Sequence, residues 1–302
     1  MEPPRISIIT PSFNQADYLE ETILSVLNQR YPNLEYIIID GGSSDGSAKI
    51  IEKYAPRLAH WVSERDQGQA HAINKGLRKA TGGIVAYLNS DDVYLPGALS
   101  AVAAAFQKHP GRNWVAGGWI LFGTGIEMEP SSWLPRLPRD AASCLYLDYC
   151  AAQPGHFWRR LMFEKHGLFD ETCRYCFDHD FYARLMLAGE RCMPLDVQVA
   201  GYRFHGQSKT MAELDGFKPE FAAIRARYLD KLPADEVRRA RHVFELKTSF
   251  AECHAAVELL KRGDRDAAWR KFSATALRWP TSLSRRFGWG CLRRLLMGEA
   301  NE

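Results

Sequence analysis

With 302 residues, 46% of them hydrophobic, and a net charge of +3, the chain has material for one sizeable core and a smaller appendage, and it needs no staple to fold. The seven cysteines are odd in number and scattered, and no secretory leader precedes the first apolar run, so a disulfide framework is not expected and a reduced, cytoplasmic protein is. No apolar stretch approaches the roughly 18 to 20 residues that span a bilayer, and the charge is uneven: residues 211–302 carry 18 basic and 13 acidic side chains, the first 210 carry 21 and 23.

Arg5 to Thr10 is a short β-branched run closed by the turn residues Pro11, Ser12, Phe13 and Asn14, which predicts a buried first strand. Tyr18 to Asn28 sets Leu19, Ile23, Val26 and Leu27 on one helical face. Tyr36 to Asp40 is a second apolar strand ending in a carboxylate. Gly41 to Gly46 follow as a flexible loop, with Ser47 as a cap for the helix running to about Tyr54. His60 to Ser63 predicts a third strand. Glu64 to Gly68, including Asp66, then lead into a helix with Ala70, Ile73, Leu77 and Ala80 on its apolar face, stopped by Gly82 and Gly83. Ile84 to Leu88 is the fourth strand. Three alternations of strand and helix predict a parallel sheet covered by helices.

The fourth strand runs into Asn89-Ser90-Asp91-Asp92. Two adjacent carboxylates are costly to desolvate unless paired or metal-bound. At the carboxyl edge of an open α/β sheet, where ligands bind, such a pair suits Mg2+ or Mn2+ holding a substrate diphosphate. The same residues also suit a plain turn into the helix from Pro96 to about His109. Asp40, Asp66, Asp91 and Asp92 would converge on one edge. The turn Thr10 to Asn14 has no G-x-G-x-x-G glycines and the chain has no P-loop, which argues against a dinucleotide-binding dehydrogenase.

Trp114 to Phe122 predicts a strand, after which alternation becomes irregular. Gly123 to Tyr149, with Pro130, Pro135 and Pro138 among aromatic residues, reads equally as a lid over a site or as a surface excursion. Phe157 to Arg160 precede a short helix closed by Gly167. Cys176 to Leu185 begin a helix ending at Gly189, in which Asp180 pairs with Arg184 four residues on. Asp178 lies on the face of Phe181, Tyr182 and Leu185, where it either caps the helix or does chemistry. Cys173 and Cys176 have half of a zinc spacing without a second half and read as incidental thiols. Val197 to His205 is the last strand. The chain is helical from about Met211, with a helix pair turning at Gly263 and Asp264. Between Ala267 and Gly298 seven basic residues and no acidic one are interleaved with Trp and Leu. That segment reads either as one lying on an anionic membrane or as a packed helix pair with a solvated basic face, and Gly288 and Gly290 weaken a continuous helix there.

In this order the blocks ISIITPSFNQ, YIIIDGGSSDGS, ERDQGQAHAINKGL, LNSDDVYLPGAL, FWRRLMFEKHGLFDE, FDHDFYARL and FHGQSKT resemble family 2 glycosyltransferases of the GT-A fold, over roughly residues 5 to 210. The resemblance implies an α/β fold: a mostly parallel GT-A sheet flanked by helices in residues 1–210, with a helical C-terminal extension in 211–302. It implies inverting transfer of a sugar from a nucleotide-diphosphate sugar, usually a UDP sugar, with Mn2+ or Mg2+. The acceptor would be a saccharide or lipid-linked saccharide in surface polysaccharide or glycan assembly.

Residue by residue, the resemblance places Thr10, Pro11 and Asp40 around the nucleotide base, Asp66 at the border of that pocket, Asp91 near the ribose and Asp92 on the metal. His205 matches a position that in some members also meets the metal or diphosphate. Asp178 falls on the catalytic base, in a block where members commonly carry Glu-Asp; Phe177 stands here in place of that Glu. Many members carry Arg before the Asn of Asn74, where this chain has Ile73, so no phosphate contact is carried there. The expected setting is cytoplasmic, peripheral on the inner face of the membrane, with no nucleic-acid partner. A catalytically silent sugar-nucleotide-binding scaffold is the alternative, against which Asp91, Asp92 and Asp178 together argue. A nucleotidyltransferase would need a glycine-rich basic loop after the first strand, and this chain has none.

Overall fold

The computed structural model describes residues 2–123, 135, 137–146, 153–209, 213–279 and 286–297. The chain forms two compact units, Met1–Lys231 and Leu232–Glu302. In the first, β1 (Ile6–Ser12), β2 (Leu34–Asp40), β3 (His60–Ser63) and β4 (Ile84–Tyr87) run parallel in the order β3-β2-β1-β4. They read as near-continuous apolar runs because the crossover helices α1 (Ala16–Leu27), α2 (Ser47–Tyr54) and α3 (Gln69–Lys79) cover the sheet. Leu19, Ile23 and Val26 of α1 join Ile6, Ile8, Tyr36 and Ile38 in one core with Leu99, Val102 and Phe106 of α4 (Ala98–Lys108). Where α3 crosses β1, a Cβ on Gly76 would stand 2.4 Å from Ile9 Cγ2, so only glycine allows that approach. Ser47 does not cap α2 but begins it; Gly46, at φ 105°, is the cap position, and the Ser47 hydroxyl instead accepts the Gln15 N–H at 3.1 Å.

Beyond β4 the sheet becomes mixed. β7 (His156–Arg159) runs antiparallel to β4 and to β6 (Trp114–Gly123). β8 (Met193–Phe204) lies parallel to β6, and the short β5 (Val93–Tyr94) pairs antiparallel with β8. The sequence pattern misses β7, whose His156 and Arg159 break the apolar run; the strand exists because Trp158 sits between Val85 and Trp114 and is fully buried.

Under the second half of the sheet lies an aromatic cluster. Tyr87, Trp158, Phe163, Phe169 and Phe181 meet edge-on or stacked, with α6 (Leu161–His166) and α7 (Phe177–Leu187) contributing. Asp180, 1% exposed, accepts from Arg184 Nε at 2.9 Å, Arg227 Nη1 at 3.0 Å and the Tyr228 hydroxyl at 2.8 Å. The spacing-based pairing of Asp180 with Arg184 is therefore present and enlarged. Arg227 and Tyr228 sit on α8 (Leu214–Tyr228), and these contacts draw that helix, read from sequence as extension, into the first unit. Of the segment read as a lid, α5 (Ala141–Tyr146) packs on α7 and α8, while 124–134, 136 and 147–152 lie outside the described residues.

In the second unit α9 (Ala234–Lys261) turns at Gly263 into α10 (Arg265–Arg278), and the Asp264 side chain caps α10 through the Ala267 N–H at 3.0 Å. The helix α11 (Arg286–Met297) passes through Gly288 and Gly290 without interruption. Each glycine costs about 1 kcal/mol of helix propensity, and burial of Cys291 and Leu295 beside Cys253, Val257 and Phe272 offsets it. Among the described residues no helix is long and apolar enough to cross a membrane.

Candidate functional site

β4 pairs with β1 only from Ile6 to Ile9, so Thr10 to Ser12 are paired on the β2 side alone. Strand order reverses between β1 and β4, and the carboxyl ends of the strands on either side form the crevice where open α/β sheets take ligands. Pro11, which lacks a ladder donor, lies beyond the last residue that pairs with β4. Thr10 is buried with its hydroxyl 3.0 Å from that of Tyr36.

Asp40, fully buried at the end of β2, accepts four bonds: Gly42 N–H at 3.2 Å, Ser43 N–H at 2.9 Å, Ser63 Oγ at 2.6 Å and Ser43 Oγ at 2.5 Å. Its charge thereby organises the following loop and ties it to β3. Asp66 closes the neighbouring turn through the Gly68 N–H at 2.8 Å, and a Cβ on Gly41 would stand 2.8 Å from its Oδ2. Gly41 is thus the residue that lets these two loops touch. Asn14, at φ 50°, and Ala16 bind Ser43 and Asp45 across the same edge.

The acidic pair is held from β8. Asp92, 1% exposed, accepts the Arg203 main-chain N–H at 2.9 Å and stands 3.5 Å from Asn89 Nδ2. Burial above all, and then the charge of Asp91, push its carboxyl well above the ordinary carboxylate range, against the pull of the Arg203 N–H. Asp91 faces His205, whose Nε2 is 3.0 Å from Oδ2. His205 is 3% exposed and leans on the Tyr18 ring at 4.4 Å. With Nε2 donating to the carboxylate, Nδ1 is a lone pair that is buried with no hydrogen-bond partner among the described residues. Arg203 fixes the arrangement: Nε donates to the Asp91 carbonyl at 2.8 Å, Nη2 to Glu21 at 2.5 Å, and the guanidinium lies over Phe122 and Tyr18.

Asp178 opens α7. Its Oδ1 accepts the His179 N–H at 2.7 Å, so it does tie down a first-turn donor, and no side chain among the described residues hydrogen-bonds to it. Burial raises its carboxyl to about 6; main-chain N–H groups and Lys209 pull it down and Glu220 pushes it up. Tyr87, at the end of β4, lies near both chemistries: burial and the charges of Asp178 and Asp92 all oppose ionisation of its hydroxyl. Phe177, at the position where the resemblance implies Glu, is buried against Phe169 and Tyr87. Asn74 is buried and bonds the main chain of Phe169 in both directions, at 2.9 and 3.1 Å, which makes it a structural link between α3 and the loop before α7.

Four polar residues escaped the sequence reading. Lys209 Nζ donates to Gln69 Oε1 at 2.9 Å; Gln69 Nε2 donates to Asn89 Oδ1 at 2.7 Å. Asn89 in turn reaches Gln153 at 3.2 Å, and Gln153 donates to the Tyr87 carbonyl at 2.8 Å. This relay joins the acidic pair to the cation beside Asp178. Gln69, Asn89 and Lys209 stand in blocks already singled out, but no spacing rule brings positions 69, 89, 153 and 209 together.

Among the described residues no three His, Cys, Asp or Glu side chains gather into a closed metal cage. A hard divalent cation needs only one or two carboxylates where waters and a diphosphate supply the remaining oxygens. Asp91 and Asp92 fit such a partial site, because a cation there would offset the desolvation and the like charge that raise Asp92, and His205 would join it through Nε2, the ring nitrogen that faces Asp91.

The profile of glycosyl transferase family 2 matches residues 7–167. The chain is 45% identical over 92 residues to the putative teichuronic acid biosynthesis glycosyltransferase TuaG of Bacillus subtilis, a stretch that is 30% of this chain and 36% of that protein. The matched stretch is thus about a third of that relative's length. The mannosyltransferase PcManGT of Pyrobaculum calidifontis, solved in complex with GDP-Man and Mn2+, superposes with a TM-score of 0.64 at 22% identity, covering 98% of this chain and 88% of that one. S. aureus TarS 1-349, solved in complex with UDP-GlcNAc, superposes with a TM-score of 0.59 at 17% identity and covers 91% of each chain. At those identities the two structures show a shared fold.

The raised carboxyl of Asp178 makes stability depend on pH. Between its ordinary 3.8 and about 6 the folded protein holds a proton that the unfolded chain has lost, so this stabilising contribution is complete below pH 3.8 and gone above about pH 6. Asp178→Asn should therefore gain stability relative to wild type from about pH 4 to about pH 7, on the order of 3 kcal/mol, measured by urea unfolding in chelator. A flat difference would show that Asp178 titrates as an ordinary carboxylate.

Proposed function

The chain belongs to glycosyl transferase family 2, and on that premise we propose that it is an enzyme that moves a sugar from a nucleotide-diphosphate sugar, a UDP sugar foremost, to a hydroxyl of a saccharide or lipid-linked saccharide, inverting the anomeric centre. The observation that carries this reading is Asp178: a carboxyl raised to about 6 by burial, beside the tyrosine that also feels Asp92. Such a group is ionised at neutral pH yet more basic than an exposed aspartate, which suits a general base acting on a weakly nucleophilic sugar hydroxyl.

In this reading Thr10, Pro11, Asp40 and Asp66 wall the nucleotide pocket, Asp40 by holding the loop of Gly42 and Ser43 in place rather than by meeting the base itself, with Asp91 at the ribose. Asp91, Asp92 and His205 would hold Mn2+ or Mg2+, which when bound offsets charge on the departing diphosphate. Asp178 takes the acceptor proton as the hydroxyl oxygen attacks the anomeric carbon on the side opposite the diphosphate, so one displacement inverts that carbon. The name of TuaG supports a surface polymer as the acceptor.

The second unit belongs to the proposal as a membrane-facing part at the inner face of the membrane. Its support is the run of seven basic and no acidic residues from 267 to 298, with Leu277 and Leu296 exposed by 85% and 63%. Each basic side chain near an anionic surface contributes about 1 kcal/mol.

Three measurements test these assignments. In Asp178→Asn, turnover of whichever UDP or GDP sugar the wild type hydrolyses in a panel should fall by roughly two to four orders of magnitude with donor affinity unchanged by calorimetry; near-normal turnover would remove Asp178 from the role. Asp92→Asn should lose Mn2+-dependent binding of UDP without any fall in melting temperature, since its raised carboxyl is itself destabilising at neutral pH, and wild-type UDP binding that is as tight in chelator as in Mn2+ would refute the metal assignment. The protein should sediment with phosphatidylserine-containing liposomes at low salt and be released at high salt; absence of sedimentation ends the membrane reading.

A further inference from the structure

The helix that carries Asp178 has no side-chain cap of its own at Cys176. The donors leading into it are answered from α8 instead. Glu220 Oε1 accepts the Arg174 N–H at 2.7 Å, and Oε2 accepts the N–H groups of Tyr175 and Cys176 at 2.8 and 2.9 Å. Three successive main-chain donors therefore converge on one carboxylate, and charge-assisted bonds of this kind are roughly twice as strong as neutral ones. Glu220 forms no ion pair among the described residues, so its charge serves those three donors.

The same helix grips α7 again just past Asp178, where Arg227 and Tyr228 hold Asp180. Glu213, at the start of α8, adds bonds to the Arg174 guanidinium at 2.8 Å and to the Tyr175 hydroxyl. Asp178 thus lies between two points at which α8 is fastened, residues 174–176 before it and Asp180 after it. A carboxylate on a helix's first residues moves with the backbone that leads into the helix, and here that backbone is set by a residue 42 positions further along the chain.

We propose that Glu220 is a positioning residue: by holding the three N–H groups that lead into α7, it fixes where the Asp178 carboxylate stands for proton transfer. The proposal rests on Asp178 being the base. A second consequence follows from the groups around Asp178. Tyr87 from β4, Cys144 from α5, Tyr182 from α7 and Cys176 surround it as neutral groups, Lys209 is the cation that favours its ionised form, and Glu220 is the anion that opposes it. Loss of the Glu220 charge should therefore lower the pH at which the base ionises.

Glu220→Gln keeps the side chain's length but loses the charge and turns an NH2 toward the main-chain donors; Glu220→Asp keeps the charge on a shorter arm. In ligand-free protein, amide hydrogen exchange at Arg174, Tyr175 and Cys176 should quicken at least tenfold in Glu220→Gln, with protection of β1 and β2 unchanged. In hydrolysis of the nucleotide sugar that the wild type turns over, kcat should fall tenfold or more with donor KM within about twofold, and the acid limb of the pH–rate profile should move to lower pH. Glu220→Asp should return that limb toward the wild-type position. A kcat within twofold of wild type in Glu220→Gln, in a protein whose Asp178→Asn variant is inactive, overturns the proposal; so does loss of protection across β1 and β2, which would mark a global structural role. Turnover retained in Asp178→Asn defeats the base assignment, and this proposal with it, whatever the Glu220 variants do.

Discussion

Taking a carboxylate out of water costs several kcal/mol unless donors or a cation answer it, and this constraint sorts the acids of the first unit. Glu35, 4% exposed, is answered in full by Arg5, the Ser7 and Thr81 hydroxyls and the Thr81 N–H, and it fastens β2 to the segment before β4. Asp40 and Asp180 are likewise saturated, one by a loop and one by two guanidinium groups and a phenol. These three acids are architecture. Asp92 and Asp178 are answered incompletely, and burial raises both. Their shortfall is what a cation, or a proton from an acceptor, would make good.

The halves of the sheet differ in how far they can be read from sequence. β1 to β4 are visible because a parallel strand covered on both faces is an apolar run, and the intervening helices carry 3.6-residue stripes. β5 and β7 are two and four residues long, and β8 begins at Met193, ahead of its apolar run, because Val115 and Ala116 pair with it there. Their pairing is decided by distant partners. The acids at strand ends were equally visible, since a carboxylate after an apolar run has few innocuous explanations. Pairing of Asp180 with Arg184 follows from helix geometry alone. Glu220 and the relay through Gln69, Asn89, Gln153 and Lys209 were not legible, because each depends on contacts 20 to 140 residues apart in sequence.

Phe177 shows how packing and chemistry are coupled. At that position a second carboxylate would sit among Tyr87, Phe169 and the rest of the aromatic cluster with like charge next to Asp178. The phenyl ring instead completes the cluster and keeps the surroundings of Asp178 apolar on one side. Desolvation then becomes the first cause of its raised carboxyl, ahead of any charge partner. The Asp178 carboxyl is tuned by hydrocarbon more than by neighbouring acids.

Such tuning works only if the backbone beneath the carboxylate is immobile, because a small outward movement of the first turn of α7 would bring water to Asp178 and return it to the ordinary range. The aromatic cluster resists that movement from below, through Phe177 and Phe181. From the other side it is resisted by the rings of Phe217 and Phe221 against Tyr175 and His179 and by polar bonds: Glu220 on the N–H groups of residues 174–176 and the Arg184, Arg227 and Tyr228 cage on Asp180. Each of those carboxylates is answered by three donors or cations, and these answered acids hold in place the one that is left wanting.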